Sequence, residues 1–237
     1  MEFGSPEFWV AVLQIIAIDI VLSGDNAVVI ALACRSLPPQ QRRKGIFWGV
    51  TGAISLRVIL TFFAVTLLDL PYLKAIGAAL LLWIGIKLML PDKPTEHEIA
   101  SSKSLIAAIR TIIIADFVMS LDNVVAVAAA ADGSILLLIF GLVVSIPLIM
   151  WGSQLILRFM DRYPIIITLG AGLLGWVAGD MAVTDPVIQP WAEHVIPFAE
   201  WTAPLAGALF VVIIGTLLSR RVQPASEEIQ EPPNMSS

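Results

Sequence analysis

The sequence predicts an all-α membrane protein with seven transmembrane helices, arranged as two inverted three-helix repeats plus a seventh helix. Three observations predict it. The 237-residue chain is 58% hydrophobic, has a mean hydropathy of +0.88 and is only 14% charged. A soluble domain carries about 25% charged residues, so this chain lacks the polar surface to cover a soluble fold. Seven apolar segments reach the roughly 20 residues that a membrane-spanning helix needs. One polar motif also occurs twice, 97 residues apart.

The expected spans are 8–34, 45–68, 72–90, 105–131, 134–157, 164–183 and 201–219. They should be helices, because a helix satisfies its own backbone in lipid. Repeat one covers about 8–90, repeat two about 105–183 and the extra helix about 201–219, within a single transmembrane domain over 1–221. No basic stretch precedes the first apolar segment, so that segment is expected to stay in the mature protein. Lysine and arginine cluster after the first span (Arg35, Arg42, Arg43, Lys44), the third (Lys93, Lys103), the fifth (Arg158, Arg162) and the seventh (Arg220, Arg221). The positive-inside rule then puts the N-terminus outside and the C-terminus in the cytoplasm of a bacterial inner membrane. The tail over 222–237, rich in Pro, Ser and Glu, is expected to be disordered and cytoplasmic. Cys34 is the only cysteine and the two histidines fall in polar connections, which argues against disulfides, thiolate zinc and haem.

The repeat is visible in the residues. Ile18 to Ala33 aligns with Ala115 to Ala130, and the polar matches carry the weight: Asp19 with Asp116, Ser23 with Ser120, Asp25 with Asp122, Asn26 with Asn123. A second echo pairs Gly77-Ala78 with Gly170-Ala171 and Trp83 with Trp176, at an offset of 93. The unit is three spans, and an odd number inverts the second copy. Inverted repeats of this kind place a transport site near the midplane, where the halves meet.

The four motif aspartates lie inside apolar segments, where each costs roughly 2.5–3.5 kcal/mol. A bound cation, protonation or a hydrated path would each justify them. Ser23 and Asn26 share the helical face of Asp19, whereas Asp25 points about 120° away in a straight helix. Either Asp25 faces another neighbour or the helix breaks at Ser-Gly-Asp-Asn; Leu121 replaces Gly24 in the second copy. Asp19, Asp25, Asn26, Asp116, Asp122 and Asn123, with Ser23 and Ser120, form an oxygen donor set that suits Mn²⁺, Ca²⁺ or Mg²⁺. Arg57, near the centre of span two, is expected to neutralise an acid or gate the path. Lys87 and Asp180 are expected to snorkel, with a role in an ion path as the alternative.

Asp19–Asn26 and Asp116–Asn123, in a chain of this size, resemble the TerC family of membrane proteins. Ser145-Ile146-Pro147 through Gly179-Asp180-Met181 is similar to its YjbE-like subgroup. The resemblance implies a seven-helix fold related to the LysE superfamily and export of Mn²⁺, with the motif acids as ion site. Some relatives are associated instead with tellurite resistance or with loading metal onto exported proteins. The expected function is therefore a secondary transporter exporting Mn²⁺ in exchange for protons. The alternatives are a membrane factor that supplies metal to exported proteins or assembles membrane proteins, and an exporter of a cationic amino acid. Neither enzymatic activity nor an organic cofactor is expected. The expected partners are a metal cation, protons and the bilayer, not nucleic acid.

Overall fold

The computed structural model describes residues 6–22, 24–63, 70–91, 99–130 and 135–222. Ser23 and the tail beyond Val222 lie outside the described residues, as does the side chain of Asp122. Among the described residues the regular elements are helices, with no strand. They are α1 (Pro6–Leu22), α2 (Gly24–Cys34), α3 (Pro39–Phe62), α4 (Leu73–Met89), α5 (Ile99–Ala130), α6 (Ile135–Arg162), α7 (Ile165–Val183), α8 (Gln189–Val195) and α9 (Ala199–Val222).

Among the described residues, five helical stretches are long and apolar enough to cross a membrane: Pro39–Phe62, Ser104–Leu121, Ile139–Arg162, Ile165–Val183 and Ala199–Arg221. The other two expected spans differ in length. The first is described as α1 and α2, of 17 and 11 residues, on either side of Ser23, which lies outside the described residues. The third, α4, has 17 residues, about 26 Å of helix against a hydrocarbon core of about 30 Å. In the second motif copy α5 runs unbroken through Asp116–Asn123 for 32 residues. The outer faces carry large apolar side chains. Trp48, Trp83, Trp151 and Trp201 are all more than half exposed, a surface that water would not tolerate and lipid accepts.

Three polar contacts fix which connections share a face. Arg42 pairs with Asp161 at 2.6 Å, joining the start of α3 to the end of α6. Arg35 donates to the carbonyl of Leu90 at 3.2 Å, joining the end of α2 to the end of α4. These are basic connections that the charge pattern groups together. On the opposite face Asp185, fully buried, accepts the backbone N–H groups of Ala75 at 3.2 Å and Val187 at 3.0 Å. Its carboxylate satisfies an orphan donor in the first turn of α4. In sequence Asp185 reads as one more charge in an external loop; in the fold it is a tie between helices.

The last helix packs backbone to backbone on α7. A side chain added at Gly175 would meet the backbone of Gly207, and one at Gly179 would meet Ala203 and Pro204. Gly152, in contrast, has open space beside it. Gly175→Val and Gly179→Val are expected to force α9 away and to cost about 1–3 kcal/mol or more. Gly152→Ala should be close to neutral. Thermal unfolding in detergent, followed by gel filtration, checks this; equal midpoints for all three would contradict the close packing.

Candidate functional site

The site begins with two stripes of residues. On α3, Gly45, Gly49, Ala53 and Arg57 recur every four residues and are all buried. On α5, Ala108, Ile112, Asp116 and Ser120 do the same. Four-residue spacing keeps each set on one helical face. The glycines let α5 approach closely: Ile112 packs on Gly49 and Ile113 on Gly52. This approach carries Arg57 to the level of Asp116 and Ser120.

Arg57 is 1% exposed and lies at the hub. One guanidinium nitrogen, Nη1, pairs with Oδ1 of Asp19. Nη2 donates to Oδ1 of Asp116 at 2.8 Å, and Nε donates to Oγ of Ser120 at 3.0 Å. Ser120 in turn donates to Oδ2 of Asp116 at 3.1 Å. Asn26 donates its side-chain amide to Oδ1 of Asp116 at 3.0 Å. One planar guanidinium thus bridges an aspartate from each motif copy, which its rigid fork allows and a lysine ammonium does not.

Two carboxylates thus share one guanidinium. Among the described residues, no three His, Cys, Asp or Glu side chains gather closely enough to hold a metal ion. In this arrangement the guanidinium stands where a cation would be needed. A further polar atom has no partner among the described residues: Oδ1 of Asn26, buried. Its amide orientation is fixed by the donation to Asp116, so an acceptor oxygen is left facing inward.

The structure therefore joins five of the sequence-selected residues, Asp19, Asn26, Arg57, Asp116 and Ser120. Asp25 is half-buried beside them and accepts the backbone N–H of Asn26 at 2.8 Å, an orphan donor in the first turn of α2. Asn123 is half-buried on α5. Ser23 and the Asp122 side chain lie outside the described residues. None of the contacts that define the centre involves Lys87 or Asp180. Lys87 is exposed, its ammonium 4.9 Å from the ring centre of Trp83. Asp180 is half-buried in the last turn of α7, where its carbonyl accepts from Thr184.

A multi-pass helical membrane protein whose interior holds carboxylates from both copies of a duplicated motif is the class that fold and site define. The chain belongs to the TerC family: the family model described as "Integral membrane protein TerC family" matches residues 4–223. It is 43% identical over 208 residues to the uncharacterized membrane protein YjbE of Bacillus subtilis, covering 87% of this chain and 94% of that one. It is 24% identical to YkoY of the same organism, covering 90% of this chain and 71% of that one. It is 27% identical to the inner membrane protein YoaE of Escherichia coli, covering 71% of this chain and 36% of that longer one. No solved structure matches.

Proposed function

We propose that this chain exports a divalent metal cation, Mn²⁺, from the cytoplasm in exchange for protons. The observation that carries the reading is the meeting of Asp19 and Asp116, one from each motif copy, around a single buried guanidinium. Buried acids at this depth are functional by default, and their oxygens with those of Asn26 suit a hard divalent ion. Asp25, Asp122, Asn123, Ser23 and Ser120 complete the proposed ligand set.

Charge balance supports the mechanism. The guanidinium engages Oδ1 of both acids, so a cation can use those oxygens only when Arg57 withdraws. Arg57 then acts as a tethered counter-cation that holds the site when the substrate is elsewhere. Moving two charges outward against an interior-negative potential costs about 4.6 kcal/mol per 100 mV. Two returning protons cancel that cost, and clustered carboxylates can carry them.

The same proposal includes seven spans in two inverted halves, N-terminus outside. Its support is an exchange of partners between the halves. The second helix of each half packs on the motif segment of the other: α3 along α5, and α6 along α1 and α2. Ile15 and Ile112 stand 97 residues apart, and each packs on a glycine from the opposite half, Gly141 and Gly49. The third helices, α4 and α7, pack on each other.

The test is flux in proteoliposomes with Mn²⁺, Ca²⁺, Mg²⁺, Zn²⁺ and lysine. Mn²⁺ flux with counter-movement of protons is expected. Tight Mn²⁺ binding with no flux would instead favour metal delivery. Ligation needs deprotonated carboxylates, so Mn²⁺ affinity should fall steadily from about pH 8 to about pH 5.5. Isothermal titration across that range checks it; an affinity that ignores pH would exclude both carboxylate ligation and proton exchange through these acids.

A further inference from the structure

Two cavities lie on the same seam between α2 and α5. The larger, about 260 Å³, opens to the surface and is bordered by Leu32 and Ala33 of α2 and by Ala107, Ala108 and Thr111 of α5. The smaller, about 10 Å³, is bordered by Asn26 and Asp116, with Val29, Ile30 and Ile112 on its remaining sides. That volume is close to the minimum for one water molecule. It lies against Asn26, whose buried Oδ1 has no partner among the described residues. On α5 the steps Ala108, Ile112, Asp116 follow one helical face from the open cavity to the acid, about 12 Å of axis. On α2 the steps Ala33, Val29 or Ile30, and Asn26 do the same. On α5 small side chains, Ser104, Ala107, Ala108 and Thr111, line the open end, and branched ones, Val29, Ile30 and Ile112, all nearly fully buried, fill the single turn between the cavities.

We propose that the substrate cation moves between the open cavity and the carboxylates along this α2–α5 seam, and that Val29, Ile30 and Ile112 are its closed constriction. The proposal rests on the transport reading above. Ile112 packs on Gly49 of α3, on the stripe that ends at Arg57 eight residues later. The constriction and the guanidinium that holds the acids are thus backed by the same helix, α3. The mouth itself is cationic: Arg35 and Lys87 border it. Arg35 also donates to the neutral carbonyl of Leu90, and Lys87 is exposed at the opening. A positive mouth slows a cation's arrival at low ionic strength.

Two measurements decide it. In nanodiscs, with Cys34→Ala as background, Val29→Cys should react slowly with a small cationic methanethiosulfonate. Adding Ile112→Ala should speed the reaction at least about tenfold, with Ile112→Val between. A rate unchanged by Ile112→Ala overturns the constriction. This readout does not depend on transport, so absent metal flux with accelerated labelling would sink the export reading and leave the route standing. Lys87→Gln is the variant without packing risk. It should raise apparent Mn²⁺ affinity about threefold at low ionic strength, with the gain lost in high salt, while Arg43→Gln, which does not border the mouth, should not. Flux indifferent to Lys87→Gln at low salt removes this mouth from the route.

Discussion

Asp116→Asn is expected to abolish Mn²⁺ export and to weaken Mn²⁺ binding at least about a hundredfold, as is Asp19→Asn. Asparagine keeps the shape and one carbonyl oxygen but removes the charge. A hard divalent ion needs about six oxygens, some of them anionic, and neither motif copy supplies them alone. Both acids also hold Arg57. Removing one carboxylate leaves Arg57 paired with the other, so both variants should be inactive but lose less stability than a variant without Arg57. Asp116→Asn should suffer more, because Asp116 also accepts from Asn26 and Ser120. A double variant separates the two effects. Asp116→Asn with Arg57→Gln leaves Asp19 buried without its guanidinium, so it should be less stable than Asp116→Asn alone and equally unable to export. Thermal midpoints and proteoliposome flux for the four proteins form the cycle. Export by either single aspartate variant at the parental rate would end the shared-site model.

Arg57→Gln alone should have the next largest effect, and in two opposite directions. Two buried carboxylates would face each other without their cation, which destabilises the metal-free protein by about 3–5 kcal/mol. Divalent ions should then bind more tightly, because no guanidinium competes for Oδ1 of Asp19 and Asp116. Added Mn²⁺ should restore the thermal midpoint to near the parental value. Turnover should nevertheless fall at least about tenfold, since nothing displaces the ion from the site. Arg57→Lys should resemble Arg57→Gln in turnover, because an ammonium cannot donate to both acids and to Ser120 in the fork geometry. Midpoints measured with and without Mn²⁺, beside flux, test this. A metal-free Arg57→Gln protein as stable as the parent would mean that the acids take protons in place of the guanidinium.

Much of this was legible because charge is rare in an apolar chain. Asp19, Asp116 and Arg57 stood out, and the spacing of Asn26 and Ser120 placed them on the same faces. Distances across the fold were not legible. Nothing in the periodicity of α3 says that Arg57 reaches acids from both halves; that follows from how closely the glycines at 45 and 49 let α5 approach. The break expected at Ser-Gly-Asp-Asn in the first copy falls on Ser23, which lies outside the described residues. Leu121 in place of Gly24 accompanies a continuous α5. The span expected at 72–90 is α4, Leu73–Met89, one residue shorter at each end. Asp185 was missed because a buried loop carboxylate carries no sequence mark that distinguishes it from a solvated one.

The bridge around Arg57 also bears on the order in which the chain is made. Asp19 and its guanidinium partner both belong to the first half, on consecutive spans, so the ribosome delivers them as a self-neutralised hairpin. The second half has no such provision: Met150 to Gln154, the stretch at the repeat offset from Arg57, contains no cation. Asp116 must therefore enter the bilayer as the newcomer to a guanidinium already in place. The nascent first half is the template on which the second half becomes tolerable to lipid. A chain translated in the reverse order, second half first, would present its acid with no partner to receive it.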